Sequence, residues 1–593
     1  MLDKQMDMAI IAPMYIDIIP NRGSPPAVLL REARREGKKT RKRTIANLSS
    51  LPMEQVEVLR RVLKGEKFAS VDEAFSVERS LPHGHVEAIL AALARLGIDK
   101  LIASRPSPQR SVVLAMIAQR LIDPASKLAC TRSWHNTTLG QELKVQDADV
   151  DELYQALDWL LARQGRIENK LAARHLHDGC LALYDVTSSY YEGHCCPLAR
   201  RGHNRDGKKN TLSIVYGLLT DAQGRPVSVQ VYPGDTGDPS TVPDQVDKLR
   251  GGFGLQRVVL VGDRGMLTQT QIGRLRAYPQ LGWISALRSA SIRSLMDAGA
   301  IERSLFDQEN LAEITSPQFP GERLVVCFNP LLKEDRARTR NELLQATGKQ
   351  LAKLSAAVAR RTRHPMSKEE IGLKVGKVIN HYKVAKHFEL TIEDGRLQWQ
   401  RDESSIAAEA ALDGIYVIRT SESAETLGRD DVVRSYKLLA QVERGFRTLK
   451  GLDVRVRPIY HRLPHRVRAH IFLCMLAYYV EWHLREVWAP LLFEDEQLPQ
   501  VRRDRHPVSP AKPSASAQEK KQTRQTADGL EIQSFATLLG ALSTRCRNTC
   551  RIKSGDGADA ANAGGTTFEC LTEPTPLQAK ALALVEMLPV GAQ

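Results

Sequence analysis

The chain has no cysteine framework. Its nine cysteines (Cys130, Cys180, Cys195, Cys196, Cys327, Cys474, Cys546, Cys550 and Cys570) follow no regular spacing, and several fall inside apolar runs. They read as reduced packing residues, which excludes a disulfide-stapled secreted scaffold. Cys546 and Cys550 lack a second ligand pair and His194-Cys195-Cys196 lacks zinc spacing, so a zinc module is excluded too. No apolar run approaches the length that spans a bilayer. The opening MLDKQMDMAIIAPMYIDIIP has too brief an apolar core, and it carries acids and prolines where a signal peptide has basic and then small residues. The expectation is a cytoplasmic protein with no membrane partner. Internal repeats are also lacking. Acids are in deficit: 69 Asp and Glu face 84 Lys and Arg, a formal charge of +15 that points to a polyanionic partner, most simply nucleic acid.

What is present divides into six segments. Residues 1–52 form a basic N-terminal strand and arm segment, with a strand from Met14 to Ile19, a turn from Asn21 to Pro26 and a second strand from Ala27. The run from Arg31 to Arg43 is dense in Arg and Lys. It reads either as a solvated charged hairpin or as an arm gripping a nucleic-acid backbone, with Arg34, Arg35, Lys38 and Lys39 the candidate phosphate contacts. Residues 53–178 carry helical apolar spacing, as in HVEAILAALARLGIDKLI, and are expected to form a helical DNA-binding region that can hold a helix-turn-helix.

From Cys180 the pattern turns to β. Residues 179–288 predict three antiparallel strands (Leu181–Thr187, Thr211–Leu219, Val227–Tyr232), then helix, strand (Arg257–Gly262), helix and strand (Gly282–Leu287). That is the order of a ribonuclease-H-like core, a mixed five-stranded sheet with helices. In that fold acids end the first and fourth strands, and a third acid comes from a later helix. Residues 289–411 predict an insertion domain with a strand (Glu322–Asn329), a polar helix (Asp335–Arg363) and the hairpin FELTI-EDG-RLQWQ. Residues 412–490 resume the core, and residues 491–593 are expected to be a disordered or irregular tail, Pro-, Ser-, Gln- and Lys-rich from Arg502 to Thr526. The fold class is therefore α/β, with an interrupted core and a helical N-terminal region.

Chemistry collects at three points. Asp185 ends the apolar run in LALYDVTSS, and Asp263 ends the one in RVVLVGDRG. In RSYKLLAQVERGFRTLK, helical spacing places Tyr436, Glu443, Arg447 and Lys450 on one stripe roughly 60° wide, while Leu438, Leu439, Val442, Phe446 and Leu449 cover the remaining surface. A lone acid among cations suits a phosphate-and-metal site. The plain alternative is a set of solvated helix charges, with Glu443 and Arg447 an i,i+4 pair worth about 0.2–0.5 kcal/mol. Phosphodiester chemistry with two divalent ions needs hard oxygen ligands, which Asp185, Asp263 and Glu443 supply.

YDVTSSYYEG, VGDRGM and the Tyr436–Glu443–Lys450 spacing resemble the three motifs of DDE transposases from bacterial insertion sequences, in the branch with a Tyr-(2)-Arg-(3)-Glu-(6)-Lys signature and in particular insertion sequence 1634. The resemblance runs from about Met14 to Trp488 and includes GDTGDPST and RAHIFLCMLAYYVEWHLR. It implies that Asp185, Asp263 and Glu443 are catalytic metal ligands for two Mg²⁺ ions, with Mn²⁺ able to substitute. It also implies that Tyr436 and Lys450 hold the phosphates of the element ends, and that residues 289–411 are a mostly β insertion. The signature's arginine falls on Leu439, and Arg444 or Arg447 can take its place. Arg264, beside Asp263, completes the candidate DNA contacts. The implied function is transposition: binding terminal inverted repeats and target DNA as a homodimer, cleaving strands and transferring them. The alternatives are a nuclease of the same fold without strand transfer, or an inactive DNA-binding relic.

Overall fold

The computed structural model describes residues 14–36, 39–66, 75–208, 210–278, 280–306, 309–552 and 566–591. The chain divides into two units, Met1–Ser80 with Arg547–Thr572 and Leu81–Cys546 with Glu573–Gln593. No helix among the described residues is long and apolar enough to cross a membrane.

In the first unit, β1 (Met14–Ile19), β2 (Ala27–Glu36) and β3 (Lys39–Asn47) form an antiparallel meander. Period-2 alternation turns Ile16 and Val28 inward, and the helix Met53–Leu63 seats Val56 against them. β1 pairs with β2 only as far as Glu32, whereas β2 and β3 stay paired to Glu36 and Lys39, so the charged end is a two-stranded ribbon. Most of β4 (Phe75–Pro82) also falls in this unit, a strand inside the region expected to be all helical.

The second unit is built on a mixed sheet. β5 (Cys180–Tyr190), β6 (Ser213–Asp221) and β7 (Pro226–Pro233) form an antiparallel meander, and β8 (Val258–Gly262) and β9 (Leu281–Ala286) add to the β5 side in parallel. These five strands stand in the order expected. The sheet does not stop there. β10 (Leu311–Ile314) and β11 (Arg323–Phe328) pair with each other, the hairpin strands β12 (Phe388–Glu393) and β13 (Arg396–Arg401) pair only together, and β14 (Ile415–Thr420) joins β11 to β9. The full order is β10-β11-β14-β9-β8-β5-β6-β7, eight strands in place of five.

Two expectations about segments change with this topology. The first part of the expected insertion, through Phe328, belongs to the main sheet. The part that stands out from it is the 30-residue helix Pro330–Ala359, the helix Lys368–His381 and the β12–β13 hairpin, which share a core around Leu344, Leu351, Ile371 and Leu397. It is mixed helix and hairpin, not mostly β. Likewise, the helices between Gly84 and His175 do not close as a unit of their own. Their buried faces (Ile89, Ile117, Leu157, Leu171) are continuous with the core under the sheet, because the helix Pro464–Trp488 runs through the middle with seventeen buried residues.

The expected irregular tail is instead packed where it is described. Phe535, Leu538, Leu539 and Leu542 make a helical stripe on Phe535–Ser543, which packs on Gly84–Arg95 together with the helix Pro576–Val585. Polar composition between Arg502 and Thr526 does not leave that stretch loose: Ser514 caps the helix Ala515–Thr523, and Lys520 donates to Ala489 O at 2.7 Å. β15 (Cys546–Ile552) lies between β16 (Thr567–Leu571) and β4, in the order β16-β15-β4.

Candidate active site

Local sequence places the first two acids side by side. The buried run LALY carries β5 through the core, and its parallel pairing with β8 ends at Tyr184 opposite Gly262. The next residues along the chain are Asp185, in the middle of β5, which runs on to Tyr190 paired with β6, and Asp263, just past the carboxyl end of β8. The expectation that an acid ends the first strand therefore does not hold, while the second acid does follow its strand. Gly217 on β6 allows this packing, since a Cβ there would lie 2.2 Å from the Tyr184 hydroxyl oxygen. Past β8 the chain turns tightly around Asp263, whose carbonyl accepts from Met266 N and Leu267 N at 3.0 and 3.1 Å.

The third acid comes from the helix Leu439–Lys450, which buries Leu439, Val442, Phe446 and Leu449 and exposes Glu443 and Arg447. Gly445 lets it lie close on the Pro464–Trp488 helix, where a Cβ would meet the Tyr478 hydroxyl oxygen at 3.0 Å. Tyr436 belongs to a preceding helix, Arg429–Lys437, with a break at Leu438. The expected stripe survives the break, because Tyr436, Glu443, Arg447 and Lys450 line one cleft of about 760 Å³ together with Asp185 and Asp263.

Within the cleft the carboxylates are individually held. Asp185 Oδ1 accepts from Val186 N at 2.7 Å; Asp263 accepts from the Tyr436 hydroxyl at 3.2 Å and from Gly265 N at 3.3 Å. Burial pushes the Asp185 carboxyl up to about 7; the Val186 N–H and Arg205 act against the shift, and the charges of Asp263 and Glu443 add to it. Burial, with Asp263 adding, likewise pushes the Tyr436 phenol well above its usual range, so it remains a hydrogen-bond donor. Among the described residues no ion pair joins Glu443 to Arg447, so the plain i,i+4 reading of those charges is not realised.

The three acids lining the cleft supply hard oxygens, which suit a divalent ion in donor chemistry. Among the described residues no three His, Cys, Asp or Glu side chains already stand together as a closed ligand set. Asp185 is turned toward the backbone, and Asp263 toward the backbone and Tyr436.

The expected DNA contacts fare unevenly. Lys450 lines the cleft, but its ammonium donates to Asp206 Oδ1 at 2.9 Å and to Ser188 O at 2.5 Å, so it is engaged by protein and not free for a phosphate. Arg444 lies outside the cleft lining and pairs with Glu494 at 2.7 Å, which removes it as a substitute for the signature arginine. Arg447 lines the cleft, Leu439 contributes only its apolar side chain there, and Arg264 is exposed beside Asp263. Arg34 and Lys39 are exposed on the basic ribbon. Lys38 and the side chain of Arg35 lie outside the described residues.

Sequence reasoning missed Arg205, Asp206, Asp238 and Arg457. Arg205 bonds Val186 O and Asp238; Lys450 and Arg457 meet on Asp206. Their only sequence signal is the density of charge in RGHNRDGKKN, GDTGDPST and VRVRPIYHR.

Comparison with known proteins identifies the chain. The model of the transposase DDE domain matches residues 177–480, just over half of the sequence, and that of the IS1634 family transposase N-terminal domain matches residues 16–74. Among solved structures, a piggyBac transposase in a synaptic complex with hairpin DNA is similar at 10% identity, over 77% of this chain and 79% of that one, with a TM-score of 0.34. No curated protein matches. These matches do not favour the nuclease or inactive-relic alternatives. The chain belongs to the IS1634 family of DDE transposases, enzymes that cleave DNA and transfer its strands.

Proposed function

We propose that Asp185, Asp263 and Glu443 are the catalytic carboxylates of a ribonuclease-H-like core and hold divalent ions, Mg²⁺ in the first place with Mn²⁺ able to substitute. The observation that carries this reading is their convergence: one acid on β5, one just past the neighbouring β8 and one on a helix, drawn from positions 258 residues apart, line a single cleft with Arg447. When bound, divalent ions supply activation of the attacking water or 3′-hydroxyl and neutralise charge on the leaving oxygen. The residues supply the rest. Tyr436 holds one oxygen of Asp263, and the Lys450–Asp206 pair fixes the end of the Glu443 helix to the loop after β5. Arg447 and Arg264 contact the DNA backbone near the cut, while Arg34 and Lys39 on the basic ribbon, with Arg35 and Lys38 between them in sequence, add sequence-independent affinity. The substrate is the terminal inverted repeat of an insertion sequence, joined to target DNA by a homodimer that holds two ends.

Glu443→Gln tests the assignment, since it removes an anionic ligand without removing volume. With labelled end DNA and Mg²⁺, nicking and joining should fall together by on the order of 10³-fold or more, with DNA affinity retained. Near wild-type nicking by folded Glu443→Gln protein would sink the carboxylate assignment.

A further inference from the structure

The cleft is lined by three arginines, and one of them, Arg205, comes from the loop after β5. Arg205 and Asp238 belong to the loop after β5 and the stretch after β7, and these two segments meet at backbone contact. A Cβ on Gly202 would lie 1.9 Å from Gly234 O, and one on Gly234 would lie 1.9 Å from Ser213 O. Gly234 N donates to Leu198 O at 2.9 Å, and Arg200 and Ser213 exchange backbone bonds at 3.1 and 2.9 Å. At residue 205 itself the backbone N–H donates to Ser188 Oγ at 3.0 Å, while its neighbour Asp206 turns away to receive Lys450. The backbone is therefore pinned, and the guanidinium is aimed into the cleft, against Asp238 and the carbonyl of Val186, one residue beyond Asp185.

The other cleft cations are placed differently. Lys450 and Arg457 share Asp206, which is only 5% exposed, and Lys437 donates to Pro507 O. Arg447 rides on the Glu443 helix, not on the sheet. By contrast, Arg205 pairs with an acid that itself lines the cleft, and the two side chains are 25% and 33% exposed. A pair a quarter to a third exposed is more easily exchanged than one on the nearly buried Asp206, and a phosphate offers a guanidinium the same bidentate geometry as a carboxylate.

We infer that Arg205 exchanges Asp238 for the scissile phosphodiester and grips it from the Asp185 side, doing the work of an arginine at the position where this chain has Leu439. The inference rests on the proposed reading of the cleft as the cutting site.

The test begins with a labelled duplex carrying the end of the element that encodes this chain. The wild-type nick in Mg²⁺ locates the scissile phosphate, and a duplex with a neutral methylphosphonate there is compared with the unmodified one for binding in Ca²⁺. Neutralisation should weaken wild-type binding about tenfold. Arg205→Ala should lose the same factor on unmodified DNA and show no further penalty from the methylphosphonate. Should that variant fail to fold, Arg205→Lys keeps charge without the bidentate fork and should reduce the penalty to about threefold. Asp238→Asn should keep the full penalty. A nicking wild type whose penalty persists in the Arg205 variant overturns the contact alone, as does loss of the penalty in Asp238→Asn. A wild type that never nicks the end overturns the reading of the cleft, and this inference with it.

Discussion

The ammonium of Lys450 stands 2.9 Å from Asp206 Oδ1, so the last residue of the Glu443 helix is tied to a loop 244 positions earlier in the chain. Burial lowers the affinity of Lys450 for its proton while Asp206 supports it. Lys450→Ala leaves a nearly buried carboxylate with Arg457 at 3.3 Å and the Tyr190 N–H at 3.0 Å. The expected cost is roughly 3 kcal/mol of stability, the low end for breaking a buried pair, read from denaturant midpoints. A variant of unchanged stability that simply binds DNA less well would restore the phosphate role.

Tyr436→Phe removes the hydroxyl that donates to Asp263 and leaves the ring. Hydrogen bonds to charged groups contribute about 1.5–3 kcal/mol, so nicking should slow by at least about tenfold, with a changed Mg²⁺ requirement. Titrating Mg²⁺ against nicking rate checks this. An unaltered Mg²⁺ curve would mean that Tyr436 does not orient the carboxylate.

Glu481 gives a pH dependence remote from the cleft. It is fully buried; Oε1 accepts from Arg485 at 2.6 Å, while Oε2 has no hydrogen-bond partner. Burial pushes its carboxyl from 4.5 up to about 7, because Arg485 is divided among Glu481, Glu494 and Asp453 and offsets only part of the cost. With the folded pKa above the unfolded one, the folded state binds the extra proton between about pH 4.5 and 7. The group's contribution to stability therefore falls as pH rises through that window and stays low above it. Glu481→Gln should accordingly stabilise the protein at pH 8 by roughly 2 kcal/mol and much less at pH 5. Urea unfolding at the two pH values measures the difference, and an equal effect at both rules out the titration.

The basic ribbon predicts salt behaviour. Removing one phosphate-binding side chain, by Arg34→Ala or Lys39→Ala, should lower the slope of log K against log salt by roughly 0.9, for end and random duplexes alike. Fluorescence anisotropy across a salt series would show it, and selective weakening on end DNA would make the ribbon a sequence reader.

The placement of the acids was legible because each depends on local pattern. Apolar runs such as LALY and VVLVG announce buried strands, although β5 continues through Asp185 to Tyr190, and the spacing from Tyr436 to Lys450 marks one helical face. Partners were not legible. Lys450 with Asp206 and Arg205 with Asp238 are chosen by tertiary packing between loops, and no periodicity reports which of many charges will meet. The run RLVVCF announced a strand, yet its place beside β14 follows from edge pairing, not from its own residues. Charge-rich composition misled at residues 502–526, where caps and a buried lysine stem order a stretch that has little apolar surface.

The Pro576–Val585 helix closes the core from the far end of the described chain. Trp488 donates its indole N–H to Ala581 O at 2.9 Å, and Arg95 donates to Leu588 O at 2.9 and 3.0 Å. Residues near position 90 thus wait for partners almost five hundred positions later, a closure that topology makes slow. A ribosome that stalls before residue 576 releases a chain with an open seam along its central helix, which is a substrate for proteases before it is an enzyme.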